Sequence, residues 1–296
     1  MYIDAFSRLH PLTIAVWCIL LFCSGAFTMH PCFVMLSLLG SVLYAVKLSG
    51  RAVFRKAPLL LFTMMIAACV NILFNHRGVT VLAHFPSGNP LTLEALLYGA
   101  VSALEVGAVI IWFYCIYKIF SSDSFMQLTA SVFPSLTLVL SMTFRFIPLL
   151  VRRFEEISAA QKQLGHSFDH GSVWNRLKAL ARIFSILITR TLEESVETAD
   201  SMKSRGYGLP GRTSHRKKTM KQRDVFMLVI TLLFGAAALT GAVMNFSEFR
   251  FYPKLYISAL DLKAAAQLSC FALLCLTPTI YDLTEDIRWR SFLSKL

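Results

Sequence analysis

Glu105 stands inside an apolar run, residues 95–120, about 15 Å along a helix that would begin near Glu94. An ionisable group at that depth in a bilayer faces protein or water, and it either relays a proton or bonds within the bundle. On the same helix Gly99, Ala103 and Gly107 recur every four residues. Such a stripe lets another helix approach closely, whether an internal one or a partner protein's. His166 and His170, with Asp169 between them, have the spacing of metal ligands on a helix. Gly165 ends the helix before them, so they read as a polar loop and no metal site is expected. The seven cysteines lie almost all in apolar runs and form no CxxC pair, which suits buried small hydrophobes. The chain contains no GxxxxGK followed by Ser or Thr, and no GxSxG, HExxH or GxGxxG. No ATP site, no catalytic set and no cofactor is expected, so the chain reads as a non-enzyme.

The elements that must carry these residues are membrane helices. Of 296 residues 56% are apolar and 16% charged, and the mean hydropathy is +0.60; soluble domains carry about 25% charged residues. Six runs approach the roughly 20 residues of a span: 12–29, 32–46, 57–74, 95–120, 225–243 and 264–280. Residues 1–10 lack a basic leader and are amphipathic through Tyr2, Ile3, Phe6 and Leu9, which predicts a segment lying along the interface. Lys47, Arg51, Arg55 and Lys56 crowd the second loop, while residues 75–94 hold only Arg77. The first loop is then cytoplasmic and, with six spans, so are both termini.

The net charge of +12 is local: 16 of the 29 basic residues lie between Arg145 and Arg223, against seven acidic ones. That density suits the cytoplasmic side of a membrane and anionic lipid. No nucleic-acid motif or basic–aromatic interleaving accompanies it, so nucleic acid is not an expected partner. Residues 132–151 are apolar, yet Pro134, Arg145 and Pro148 punctuate them, and about ten residues between the first two are too few to cross the hydrocarbon. They read as a helix packed at the cytoplasmic face. Beyond them the pattern is helical and amphipathic, with one stripe at Val151, Phe154, Ile157 and Ala160 and another at Leu177, Leu180, Ala181, Phe184, Leu187 and Ile188. The last helix runs to Lys203 and Arg205, with Gly206 as its cap and Gly208 and Pro210 beyond it. Such apolar helices need a cover, either membrane or a partner protein.

The run from Ala199 to Gly208, with Ser204-Arg205-Gly206 at its centre, resembles the signature of the transmembrane T component of energy-coupling factor transporters, the CbiQ-like family. Thr143-Phe144-Arg145-Phe146-Ile147-Pro148 is similar to that family's Arg-Phe-Ile-Pro segment, and it leads to Gln163-Leu164-Gly165, where a first small-Arg-Gly motif is expected. Leu9-His10-Pro11-Leu12-Thr13 resembles the family's Leu-Asp-Pro-Arg-Thr. The chain departs in having Gln163 and Leu164 in the first motif, and His10, Leu12 and Ile14 near the start.

The resemblance implies an all-α polytopic membrane bundle of about six spans with an inserted cytoplasmic coupling-helix region. The expected division is residues 1–131 and 224–296 in the membrane, with 132–223 between them. It also implies two motif-bearing helices, ending at Gln163-Leu164-Gly165 and Ser204-Arg205-Gly206, that dock on a pair of ABC-type ATPases and carry their motion to a small substrate-binding S component. Arg145 and Pro148 would be structural residues of that region; Gly99, Ala103 and Gly107, read from their spacing and not from the resemblance, would be contacts to a partner helix. The system would take up a vitamin or a transition metal across a prokaryotic inner membrane. The alternative is a self-sufficient secondary transporter working through Glu105.

Overall fold

The computed structural model describes residues 4–75, 78–84, 90–165, 172–207, 209, 219–247, 249–253, 255–257 and 261–293. His166, Asp169 and His170 lie outside these residues, as do Gly208 and Pro210. The chain divides into two units, Met1–Phe125 with Lys218–Leu296, and 126–217.

In the first unit, helices α1 (Pro11–Ala26) and α2 (Pro31–Ser49) both open on a His-Pro pair. Proline suits the first helical position because its missing N–H would have gone unpaired there. The histidine before it supplies the cap: Nδ1 of His10 accepts from the Leu12 N–H at 3.3 Å, and Nδ1 of His30 from the Cys32 N–H at 3.2 Å. Only a neutral imidazole can accept in this way. Burial, with Phe33 and Phe249 edge-on against the ring, holds the His30 pKa below its ordinary 6.5. The cap therefore contributes fully above 6.5 and is lost as pH falls through the lowered folded-state value. His30→Ala should cost about 1 kcal/mol at neutral pH. His30→Asn should retain the cap and flatten the pH dependence, read as thermal unfolding in detergent between neutral pH and about pH 5.

Helix α3 (Ala57–Phe74) is followed by a short antiparallel hairpin, β1 (Val81–His84) with β2 (Pro90–Thr92), and then by α4 (Leu93–Ile119). The unit closes with α8 (Gln222–Val243), a second hairpin β3 (Phe249–Arg250) with β4 (Tyr256–Ile257), and α9 (Leu262–Leu293). Between α4 and α8 the chain forms α5 (Ser122–Val132), α6 (Pro134–Gln163) and α7 (Val173–Ser204). In the bundle α1 lies on α8, α8 on α9, α9 on α2, α2 on α4, and α4 on α3. Its core is aromatic: Trp17 and Trp112 meet edge to face at 5.5 Å, and Phe6, Tyr44 and Phe271 are as deeply buried. Both indole N–H groups are satisfied, by the Leu274 carbonyl and the Ser37 hydroxyl, each at 3.0 Å. Such pairing is what lets a tryptophan sit deep in a core.

Among the described residues six helices have the length and apolarity of a membrane span, but they are not the predicted six. Helix α1 ends at Ala26 and, at about 24 Å, falls short of a hydrocarbon thickness of roughly 30 Å. Residues 135–163 of α6 qualify instead. The two prolines do not divide this segment: Pro134 occupies the helix start and Pro148 is carried within a continuous helix. The apolar stretch is therefore longer than the interval between proline and arginine suggested.

The N-terminal expectation is corrected as well. Phe6 is fully buried and Leu9 nearly so, held in a 3-10 turn that plugs the bundle instead of lying along its surface. The Phe6 N–H donates to Asp282 at 2.9 Å, Tyr44 donates to Asp4 at 2.6 Å, and Asp224 accepts from the backbone of both His10 and Lys221. Reading side-chain periodicity could show that Phe6 and Leu9 share a face; it could not show what that face meets.

Candidate functional site

The second unit is built round the packing of α6 against α7. Ile157, Ile183 and Leu187 form its small core, with Leu150 and Phe154 against them and the Phe154 and Phe184 rings 5.9 Å apart. Phe154, Ile157, Phe184 and Leu187 fall on the two stripes predicted from spacing. Leu150 and Ile183, the latter the most buried of the set, do not, and Val151, Leu177 and Ile188 of those stripes are exposed. Arg153 pairs with Glu194, which also faces Arg190 at 3.6 Å, one turn away on α7. Arg145 and Pro148 are exposed on α6, about two and a half and about one and two-thirds turns before Phe154. Much apolar surface of the unit is unused by this core: Val139, Phe144, Ile147 and Val151 on α6, and Leu177, Ile188, Leu192 and Val196 on α7, are exposed. Surface of this kind marks contact with a membrane or another protein.

Both helices end in the same way. On α7, Arg205 is the last half-helical residue and Gly206 follows with φ +82°, the left-handed region that glycine enters without penalty. The Gly206 N–H reaches the Lys203 carbonyl and the Tyr207 N–H the Met202 carbonyl, both at 3.0 Å. This pair of bonds is the Schellman cap. On α6, Leu164 holds the position of Arg205 and Gly165 that of Gly206, with φ +79° and its N–H 3.1 Å from the Lys162 carbonyl. Gln163 and Ser204 are the last helical residues of their respective helices. The left-handed glycine and its N–H bond are shared; the side chain at the tip is not. One tip offers a guanidinium that meets no acceptor among the described residues, the other an exposed leucine.

The tips also stand at different distances from the packing core. From Leu187 to Ser204 the helix runs about 25 Å, and from Ile157 to Gln163 about 9 Å. A Cβ at Gly206 would sit 3.1 Å from Leu209 in a backbone conformation that L-residues disfavour. Gly206→Ala should cost about 1 kcal/mol and fray the last turn of α7, visible as faster amide exchange at residues 203–206. The same change at Gly165, whose Cβ position is open, should show the conformational cost alone.

In the first unit the small-residue stripe finds its neighbour within the chain. A Cβ at Gly99 would meet Ala68 and Ile72 at 3.4 Å, and one at Gly107 would meet Met64 at 2.7 Å. Ala103 is buried between them. Of the two neighbours that the stripe of Gly99, Ala103 and Gly107 allows, an internal helix or a partner protein's, the internal one is present: α3 fills that face, because two glycines and an alanine let its backbone come close. Glu105 is half-buried at the edge of a cavity of about 210 Å³ lined by Phe22, Phe33, Ser37, Trp112 and Phe271. Among the described residues nothing hydrogen-bonds to it. No grouping of metal-binding side chains occurs among the described residues either.

Sequence reading overlooked the carboxylates that fasten the bundle's end, namely Asp4, Asp224, Asp282 and Asp286, the last facing Lys47 at 3.1 Å. A signal was present. Acidic residues number only 17, and Asp224 and Asp282 adjoin long apolar runs, where an unpaired charge is costly.

Comparison with known proteins agrees with this anatomy. Energy-coupling factor transporter transmembrane protein EcfT of Bacillus selenitireducens is 39% identical over 111 residues, 37% of this chain and 41% of that protein. The EcfT proteins of Lactobacillus helveticus and Bacillus subtilis are 34% and 33% identical over 99 and 102 residues, covering 36% and 38% of their lengths. The matched part thus spans about two fifths of these relatives. The profile of the CbiQ family, described as cobalt transport protein, matches residues 5–217, which takes in the small-residue stripe, both capped helices and most of the bundle's first half. This α-helical, multi-pass membrane chain belongs to the CbiQ family.

Proposed function

We propose that the chain is the transmembrane coupling component of an energy-coupling factor importer. It would link ATP hydrolysis by two ABC-type ATPases to micronutrient uptake, of a vitamin or a transition metal, through a small membrane S component. The observation that carries this reading is the pair of capped helices packed on one another, with Arg205, which meets no acceptor among the described residues, at a tip held by Gly206. Arginine at a helix C-terminus is favoured by the helix dipole, and its planar fork suits bidentate bonding to a carboxylate. Packing between α6 and α7 lets displacement at a tip travel along stiff helix, since a loop would absorb it. Hydrolysis itself belongs to the partners, and the sequence has no phosphate-binding loop. The unlike tips at Leu164 and Arg205 favour two unequal docking sites on the ATPases. Lys47, Arg51, Arg55 and Lys56, around the connection from α2 to α3, favour the cytoplasmic face of a prokaryotic inner membrane for that loop.

A second reading, a self-sufficient secondary transporter, draws on Glu105 at the rim of its cavity. Affinity purification of the tagged chain from native membranes in mild detergent, with partners identified by mass spectrometry, separates the two. Recovery of one or two ABC ATPases with a small hydrophobic protein is the expected result. Recovery of the chain alone, with uptake in liposomes that Glu105→Gln abolishes, would replace coupling by secondary transport.

A further inference from the structure

The geometry points to a binding site for one anionic phospholipid in the groove between α8 and α9, its acyl chain along the apolar wall and its phosphate between Arg223 and Arg288.

The groove is open to the outside and has a volume of about 770 Å³. Phe226, Ile230 and Phe234 of α8 and Leu273 and Ile280 of α9 line it. From Phe226 to Phe234 the wall runs about 12 Å along α8. The polar end is where a headgroup would be: Arg223 begins α8 just before its apolar run, and Arg288 lies beyond the apolar run of α9. A second cavity of about 620 Å³ shares Arg223, Tyr281, Glu285 and Arg288 and adds Arg8, Lys221 and Trp289. Apolar wall and basic mouth therefore adjoin in the order that a lipid presents them.

The charges at the mouth do not cancel. Glu285 faces both guanidiniums, Arg223 at 3.3 Å and Arg288 at 3.8 Å, so one carboxylate serves two cations. Asp224, the other acid there, already accepts the backbone N–H groups of His10 and Lys221. Arg223 and Arg288 are largely exposed and hold capacity for further acceptors. Lys221 adds a third positive charge beside them. A phosphodiester with net negative charge complements this excess; a zwitterionic headgroup brings its own cation and complements it less well. Trp289, exposed beside the mouth, is the residue type that sits at headgroup level.

The test is native mass spectrometry of the full chain taken from micelles containing phosphatidylglycerol and phosphatidylcholine in equal amounts. One phosphatidylglycerol should be retained over phosphatidylcholine by roughly tenfold, and Arg223→Gln with Arg288→Gln should abolish the preference. Ile230→Trp, which fills the groove and leaves the mouth charges in place, should also reduce retention. Excess inorganic phosphate should not displace the lipid. Equal retention of the two lipids, a preference that survives the double substitution, or displacement by phosphate alone would each overturn the assignment. Both substituted arginines are exposed, and unfolding of the variants in phosphatidylcholine alone should match the parent, which separates loss of a site from loss of the fold.

Discussion

Arg205→Glu should reduce capture of the ATPases, and uptake with it, by about a hundredfold or more while leaving the membrane fold intact. On the proposed docking, the magnitude follows from replacing a cation by an anion opposite the carboxylate that Arg205 would engage: the original attraction is lost and like charges face one another. The fold should survive because the guanidinium is exposed and meets no acceptor among the described residues, and the α7 cap is made by backbone N–H groups of Gly206 and Tyr207. Helicity and gel-filtration position should therefore match the parent. Leu164→Glu at the equivalent tip tests the other half of the reading. If the two tips dock on unlike sites, it should weaken capture through lost apolar contact, by a smaller factor than the arginine reversal. Uptake at the parental level with Arg205→Glu would remove Arg205 from the mechanism, and unchanged capture together with lost uptake would move its role from docking to transmission.

Phe6→Ala should be the most destabilising single truncation near the N-terminus, at about 3–5 kcal/mol. The ring has no solvent exposure and contacts three aromatic neighbours edge-on, Trp17 at 5.3 Å, Tyr281 at 6.3 Å and Tyr44 at 6.4 Å. Its removal opens a cavity where the turn, α2 and α9 converge, and the hydrogen bonds Phe6 N–H to Asp282 and Tyr44 to Asp4 lose the packing that aligns them. A segment lying on the membrane surface would behave differently, since losing one interfacial ring there leaves the bundle untouched. Thermal unfolding in detergent reads the difference directly. Phe6→Leu should recover most of the stability, because it refills volume without restoring the ring contacts.

The amino-acid sequence alone was enough for the class of fold and for the tips of the two amphipathic helices. Apolar runs of span length have few other outcomes, since a backbone in hydrocarbon must bond within itself. A glycine after Arg205 or Leu164 ends a helix for local reasons, left-handed φ and carbonyls left without partners, and local reasons are written in adjacent residues. The stripes through Ile157 and Leu187 were legible in part, because a period of 3.6 places residues on one face whatever that face meets, but Ile183, the most buried residue there, lay off them.

Tertiary structure decided the rest, and in each case the deciding partner is distant in the chain. Gly99 and Gly107 announced a close helix contact, but only packing named α3 as the helix. Phe6 could serve an interface or a core equally well until Asp282, 276 positions away, fixed its backbone in place. Pro148 was read as punctuating its segment, yet the helix continues through it, because one lost backbone bond does not outweigh the bonds on either side. The groove between α8 and α9 has no signature in either helix, since its basic mouth is assembled from Arg223 and Arg288 only when the two helix ends meet. Local pattern determines which face a residue takes, and only the packed chain determines what occupies the other side.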